Sequence, residues 1–313
     1  MRIVFLGTPN FAVNVLKALF LSHHEIVGVI TMPDKKGKRG NKTISSPVKE
    51  FSEKEGLKTF QFENINTQIK AIEELKADIG VTAAYGQILK EGVINVFKYG
   101  IINVHASILP KYRGASPVQC ALLNGEKEIG VTIMKTVLAV DAGDILNIKR
   151  VVLNGQEKAD ECLEILSNLG GIATIETLDA IESDLIKPVE QDHTKASFCK
   201  KINKEDGKID FTKESAEDIL NKIRAFSPWP SVYFQSKYGQ MKIVDATVKA
   251  EDTSKESLPG TIIGITNKGL WVKCKNGALE INRVQLEGGK VLEIREFLLG
   301  RPFQIKEEIL AKG

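Results

Sequence analysis

The first half of the chain alternates short apolar runs with segments of helical period, and this alternation restricts the possible folds more than any other feature. Residues 2–7 (RIVFLG), 24–31 (HEIVGVIT), 57–61, 78–85 (DIGVTAAY) and 100–107 (GIINVHAS) read as strands. Helical periodicity fills 11–21, 48–56, 66–76, 91–97 and 116–124 between and after them. Strands follow at 129–136 and 144–153, then a long helix at 158–183. Repeated strand–helix units bury both faces of a sheet, so the pattern predicts an α/β, Rossmann-like, doubly wound parallel sheet. Ligands on such sheets gather beyond the carboxyl ends of the strands.

The texture changes after Lys187-Pro188. Residues 188–205 are polar and lack periodicity, which predicts a linker. From 206 onward one amphipathic helix (212–225, with Ala216, Ile219, Leu220 and Ile223 on a stripe) is stopped by SPWP at 227–230. Trp229 is expected in the core beside its prolines. Five or six short strands then come within about 80 residues, which predicts a small β-barrel. The expected layout is a catalytic α/β domain at 1–187, a linker at 188–205 and a barrel domain at 206–313.

Composition excludes several classes. The 313 residues are 42% apolar and 27% charged, with a net charge of +3, which fits a globular protein and neither requires nor forbids a nucleic-acid partner. The four cysteines, Cys120, Cys162, Cys199 and Cys274, show no CxxC or Cys/His ligand spacing, so no metal is expected. No apolar run approaches the ~18 residues of a membrane span, and MRIVFLG lacks the pattern of a signal peptide. A cytoplasmic protein without membrane association is the expectation. The Gly7-Thr8-Pro9 turn lacks the later glycines of a dinucleotide fingerprint, which disfavours NAD.

Three features carry possible chemistry. Asn103 and His105 are two apart on a strand and share one face. Together they suit an oxyanion that develops while a carbonyl is attacked; alternatively, His105 is simply a hydrogen-bonded residue at a strand end. VDAGD (140–144) places Asp141 and Asp144 about a glycine, either as a plain turn or as a carboxylate that orients the imidazole. PDKKGKRGNK (33–42) is a basic, glycine-containing arm: a solvated loop, or a segment that engages RNA.

Taken together, N-x-H-x-S-I-L-P, the following R-G, and D-x-G-D with 36 residues between His105 and Asp141 resemble the 10-formyltetrahydrofolate-dependent formyltransferases. The similarity extends through GTPNFAVNVLKAL, TMPDKKGKRG, SSPVK, SILPKYRGASPVQ, RAFSPWPSVYF and PGTIIGI, and so covers essentially the full chain. The resemblance implies Asn103, His105 and Asp141 as the catalytic trio. It implies a 10-formyltetrahydrofolate cosubstrate along Ser107, Ile108, Leu109 and Pro110, with part of the pteridine pocket from Tyr85, Gly86, Gln87, Ile88 and Leu89. It also implies initiator methionyl-tRNA as partner, held by Arg39 with Lys35, Lys36, Lys38 and Lys42, an OB-like character for the C-terminal barrel, a monomer, and no metal or NAD. A relative acting on a small amine, a hydrolase of the formylated folate, and a non-catalytic RNA-binding module are the alternatives.

Overall fold

The computed structural model describes residues 1–36, 43–249 and 257–311. In chain order the first elements are β1 (Arg2–Gly7), α1 (Asn10–Phe20), β2 (Glu25–Thr31), α2 (Pro47–Lys54), β3 (Thr59–Gln61), α3 (Ile69–Glu73), β4 (Ile79–Ala83), α4 (Glu91–Ile94), β5 (Ile101–His105), α5 (Pro117–Leu123), β6 (Glu128–Lys135), β7 (Ile145–Val152) and α6 (Ala159–Glu182). Their seven strands form one sheet in the order β7-β6-β5-β4-β1-β2-β3. β3 to β5 on this path pair in parallel, and the order reverses between β1 and β4, which makes a crevice at their carboxyl ends.

The sheet is not parallel throughout. β6 runs antiparallel to β5, and β7 antiparallel to β6. For β7 the reason is the connection: only nine residues separate Lys135 from Ile145, and a parallel crossover needs about a dozen or more. A hairpin is the short solution.

The core lies on both faces of β1, whose Ile3, Val4, Phe5 and Leu6 are fully buried. Val4 and Leu6 join Ile30, Ile65, Ile72, Tyr85, Phe97 and Ile101 in one apolar cluster. Each such aliphatic side chain contributes roughly 1.5–3 kcal/mol on burial. α6 carries Gly170-Gly171 at its middle, and each glycine in a helix costs about 1 kcal/mol relative to alanine. The close approach explains them. A Cβ on Gly170 would lie 2.8 Å from Val104 of β5, and one on Gly171 would lie 2.6 Å from Ala18 of α1.

Close contacts divide the chain into two units. The first gathers residues 1–117, 128–153 and 161–200; the second gathers 118–127, 154–160 and 201–313. Residues 188–200, read as linker from their polarity, are therefore part of the first unit, and their hydrogen bonds give the reason. Ser197 O accepts from Arg113 N at 2.8 Å, and Ser197 Oγ from Tyr112 N at 2.9 Å. Phe198 and Cys199 form a short parallel ladder with Arg113 and Gly114.

In the second unit, α7 (Ala216–Ala225) has a Ser215 capping box and buries Ala216, Ile219 and Ile223. Trp229 is not in the core: it is 58% exposed, while Phe226, three residues earlier, is buried at the end of the helix. β8 (Val232–Ser236), β9 (Gly239–Lys249), β10 (Ile262–Ile265), β11 (Leu270–Lys273), β12 (Ala278–Leu286) and β13 (Val291–Glu293) make an antiparallel sheet, with α8 (Ile294–Gly300) after it. The path runs β8-β9-β12-β11-β10, and β13 pairs with β12. Its two edges are joined by the chain's last segment. Lys306 N and Glu307 O bond to Ile262 of β10, and Ala311 N donates to Gln235 O of β8 at 2.9 Å. Among the described residues no helix is long and apolar enough to cross a membrane.

Candidate active site

β5 carries Asn103 and His105 on one face, while Val104 on the other packs towards α6. His105 is buried and its ring is held by a hydrogen bond at one nitrogen. Nε2 lies 2.9 Å from Tyr112 O, and a carbonyl can only accept, so Nε2 carries a hydrogen. Nδ1 faces Asp141 Oδ2 at 3.6 Å. That is charge-contact range but too long for a direct hydrogen bond. The Asn103 carboxamide is half-buried and makes no hydrogen bond with any described residue. Its donor hydrogens are uncommitted.

Asp141 does not come from a strand tip. It lies in the β6–β7 hairpin loop, which folds back alongside His105. Asp141 has φ +48° and Tyr112 φ +62°, left-handed conformations that non-glycine residues adopt at a cost of roughly 1–3 kcal/mol. Gly143 has no alternative: a Cβ there would lie 1.9 Å from Lys135 O. The carboxylate is fixed by Gly114 N, which donates to Oδ2 at 2.7 Å. Asp144 lies apart from the imidazole interaction and is 3.5 Å from Lys135 Nζ at the surface.

Two residues complete the arrangement. Arg113 is only 4% exposed, and its guanidinium donates to Gln191 Oε1 through Nε (3.1 Å) and Nη2 (2.6 Å). Its Nη2 also donates to His193 Nδ1 at 3.0 Å. The Gln191 amide nitrogen donates to Asp141 O (2.9 Å) and Gly143 O (2.7 Å). Gln191 is 3% exposed. A closed circuit results: Arg113 to Gln191, Gln191 to the Asp141 backbone, Asp141 carboxylate to Gly114, and Gly114 back to its neighbour Arg113. Sequence reading passed over Gln191 because it sits in a polar stretch without periodicity.

The 107–110 segment is wound tightly. Ser107 Oγ donates to Lys111 O at 2.7 Å, and Thr132 of β6 donates to Ser107 O (2.6 Å) while accepting from Leu109 N (3.2 Å). Leu109 is buried, and Ile108 and Pro110 are half-buried. In the turn after β4, Thr8 donates to Tyr85 O at 2.5 Å. Tyr85 and Leu89 point into the core, and burial pushes the Tyr85 phenol up to about 12. Gln87 is also committed, accepting from Ile65 N and donating to Phe62 O. What this turn leaves for a ligand is Gly86, at φ +108°, and Ile88, which is 84% exposed. Exposed Val137, Leu138 and Val140 precede Asp141 in the hairpin loop.

The basic arm has a defined base. Lys35 and Lys36 pair antiparallel with Ile44 and Thr43, so the arm leaves as a two-stranded ribbon. Asp34, its single acid, accepts from Lys49 Nζ and Gln61 Nε2, each at 2.7 Å, and these bonds hold its carboxyl below the usual range. Lys35 is exposed. Lys38, Arg39 and Lys42 lie outside the described residues.

Comparison with known proteins identifies the family. Residues 1–178 match the formyl transferase family model, and 201–302 match that of the formyl transferase C-terminal domain. A methionyl-tRNA formyltransferase of Lachnospira eligens is 39% identical over 310 residues, covering 97% of this chain and 98% of the relative. Another, from Sulfurihydrogenibium sp., is 41% identical over 304 residues, covering 96% of this chain and 97% of the relative. Among solved structures, an N-formyltransferase from Helicobacter canadensis in complex with folinic acid and dTDP-3-aminofucose superposes with a TM-score of 0.66 at 22% identity, covering 89% of this chain and 97% of that one; it speaks to the fold. With both halves matched and relatives aligned along nearly their whole length, the chain belongs to the formyl transferase family.

Proposed function

We propose that this enzyme moves the formyl group of 10-formyltetrahydrofolate to the α-amine of methionine esterified to initiator tRNA, by direct attack. The full-length relatives named methionyl-tRNA formyltransferase support the acceptor, and the basic sequence 33–42 suits a tRNA. One observation carries the chemistry: His105, with a single uncommitted nitrogen, faces Asp141 at 3.6 Å on the same strand face as an unpartnered Asn103.

The neutral amine attacks the formyl carbon and pushes negative charge onto the carbonyl oxygen. Asn103 donates a hydrogen bond to that oxygen. His105 donates a second through Nδ1 in its imidazolium form, steadied by Asp141, because Nε2–H is already committed to Tyr112. Asp141 takes the amine proton, directly or through water. Collapse of the tetrahedral carbon then returns the electron pair to N10 of the folate, which receives the proton Asp141 has taken, directly or through water, so that the folate leaves neutral and the carboxylate is restored. Losing one such donor costs roughly 2.7–4 kcal/mol of barrier. The folate lies along residues 107–110 with its pterin near Gly86 and Ile88, and Arg39 with the lysines of the arm holds the acceptor end of the tRNA.

The test incubates the protein with 10-formyltetrahydrofolate and aminoacylated tRNAs. Formylation of initiator but not elongator methionyl-tRNA is expected. Formyl transfer to a nucleotide-linked amino sugar in place of tRNA, or release of formate without any acceptor, would overturn the assignment.

A further inference from the structure

A second group of ionisable side chains lies away from the formyl-transfer site, at the start of β2. His23 and His24 occupy the turn between α1 and β2, and Asp179 and Glu182 lie one turn apart at the end of α6. His23 Nε2 is 3.3 Å from Asp179 Oδ1 and 3.9 Å from Glu182 Oε2; His24 Nε2 is 3.2 Å from the same Asp179 oxygen. One donor atom from each of the four residues falls within 4.8 Å of the others.

His24 is the informative member. Its side chain is wholly buried, and Nε2 makes no hydrogen bond although it is aimed into the cluster. Burial lowers its pKa, with help from the Met1 amine and His23 and against the pull of Asp179 and Glu182. The ring is therefore neutral near pH 7, and its approach to Asp179 is not an ion pair. A buried polar nitrogen without a partner costs about 1–3 kcal/mol. A cation seated among these atoms would remove that cost.

We propose that His23, His24, Asp179 and Glu182 form a binding site for a divalent cation of the zinc class. Zinc holds nitrogen and oxygen donors at about 2.0–2.2 Å, so the edges of its tetrahedron are ~3.3–3.6 Å. The three contacts above span 3.2 to 3.9 Å and all four donor atoms lie within 4.8 Å of one another, so closing them onto one ion takes side-chain shifts of about 1 Å or less. Two imidazoles with two carboxylates suit zinc, whereas calcium and magnesium want oxygen ligands throughout. The outer contacts orient the ligands. The Met1 amine nitrogen is 3.1 Å from His24 Nδ1 and 3.1 Å from Glu182 Oε1, which leaves Nε2 and Oε2 facing inward. The role is structural: the ion ties the α1–β2 turn to the end of α6.

The test uses untagged full-length protein stripped with a chelator and titrated calorimetrically with zinc chloride. Saturable uptake of one ion per chain is expected, together with a higher melting temperature. His23→Ala and Asp179→Asn should each weaken that uptake by more than about tenfold. Both side chains are about half exposed or more, so circular dichroism should be unchanged. A Cys120→Ser control should bind as the parent does. Absence of saturable uptake, uptake that survives the His23→Ala/Asp179→Asn double variant, or displacement of zinc by equimolar magnesium or calcium would each overturn the proposal.

Discussion

Gln191 offers the sharpest test of how the proposed reaction centre is assembled. Its side chain makes two bonds to the loop carrying Asp141 and takes two from the buried guanidinium of Arg113. Gln191→Leu removes all four. Each loop carbonyl left without its donor costs about 1 kcal/mol where water can partly replace it, and the guanidinium loses charge-assisted bonds of about 1.5–3 kcal/mol. Since His193 still accepts from Nη2, a net loss near 3 kcal/mol is expected, which is roughly 6–12 °C for a unit of this size. Activity should fall further than stability alone explains. A displacement of about 1 Å at a reacting group can cost 100-fold, so kcat should drop by roughly that factor while KM for the folate moves little. Gln191→Glu separates the two effects. It gives Arg113 a carboxylate but sets an oxygen against two carbonyls. The melting temperature should largely recover and kcat should not. The assay is a thermal melt beside steady-state formylation with both substrates varied. If Gln191→Glu restores kcat along with the melting temperature, or if both variants keep kcat within threefold, Gln191 does not position Asp141. A protein that keeps Gln191 intact yet cannot formylate tRNA would instead count against the function itself.

Other expectations follow from the same geometry. His105→Ala and Asn103→Ala should each lower kcat by roughly 100- to 1000-fold, the range for loss of an oxyanion donor, with folate affinity nearly unchanged by equilibrium binding; equal losses in both would argue against direct transfer. Arg39→Ala should raise KM for tRNA and spare folate binding, measured by varying each substrate in turn; unchanged tRNA kinetics would remove the arm from recognition. His24 has a lowered pKa in the folded chain, so its contribution is complete above its ordinary value of 6.5 and is lost as pH falls from there towards the folded value. In chelator-treated protein, stability should therefore decline between pH 6.5 and 5.5 by at most about 1.4 kcal/mol per unit from this group. Melts of His24→Gln over the same range should show a shallower slope, and an equal slope would refute the assignment.

How far these features could be read from residues alone varies with the range of the interactions that fix them. β1 to β5 were legible because each apolar run sits between turn residues and a helical stretch. The reversal of β7 against β6 has a local clue, since nine residues cannot carry a parallel crossover, but the long connection from β5 to β6 gives none for the reversal of β6. Asn103 and His105 were legible because period two puts them on one face. The Asp141 loop needed the family resemblance, since nothing local says that a hairpin doubles back towards a strand it does not adjoin in sequence. Gln191 and the folded state of 188–200 were invisible, because their partners lie some 50 to 80 residues upstream and polarity alone mimics a linker. The His23–Asp179 approach was hidden for the same reason, as no ligand spacing spans an entire domain. Trp229 was misplaced by treating aromatic bulk as burial, whereas Phe226 is the buried aromatic of this stretch.

The closing segment of the second unit has an engineering consequence. Residues 306–311 act as a clasp, bonding at one end to Ile262 and at the other to Gln235. Cutting the chain before that clasp would bare two unpaired strand borders at once, each a template for a neighbouring molecule. A shortened protein should therefore be prone to stack into aggregates even where its catalytic half stays folded, and fusions that tug on this end carry the same hazard.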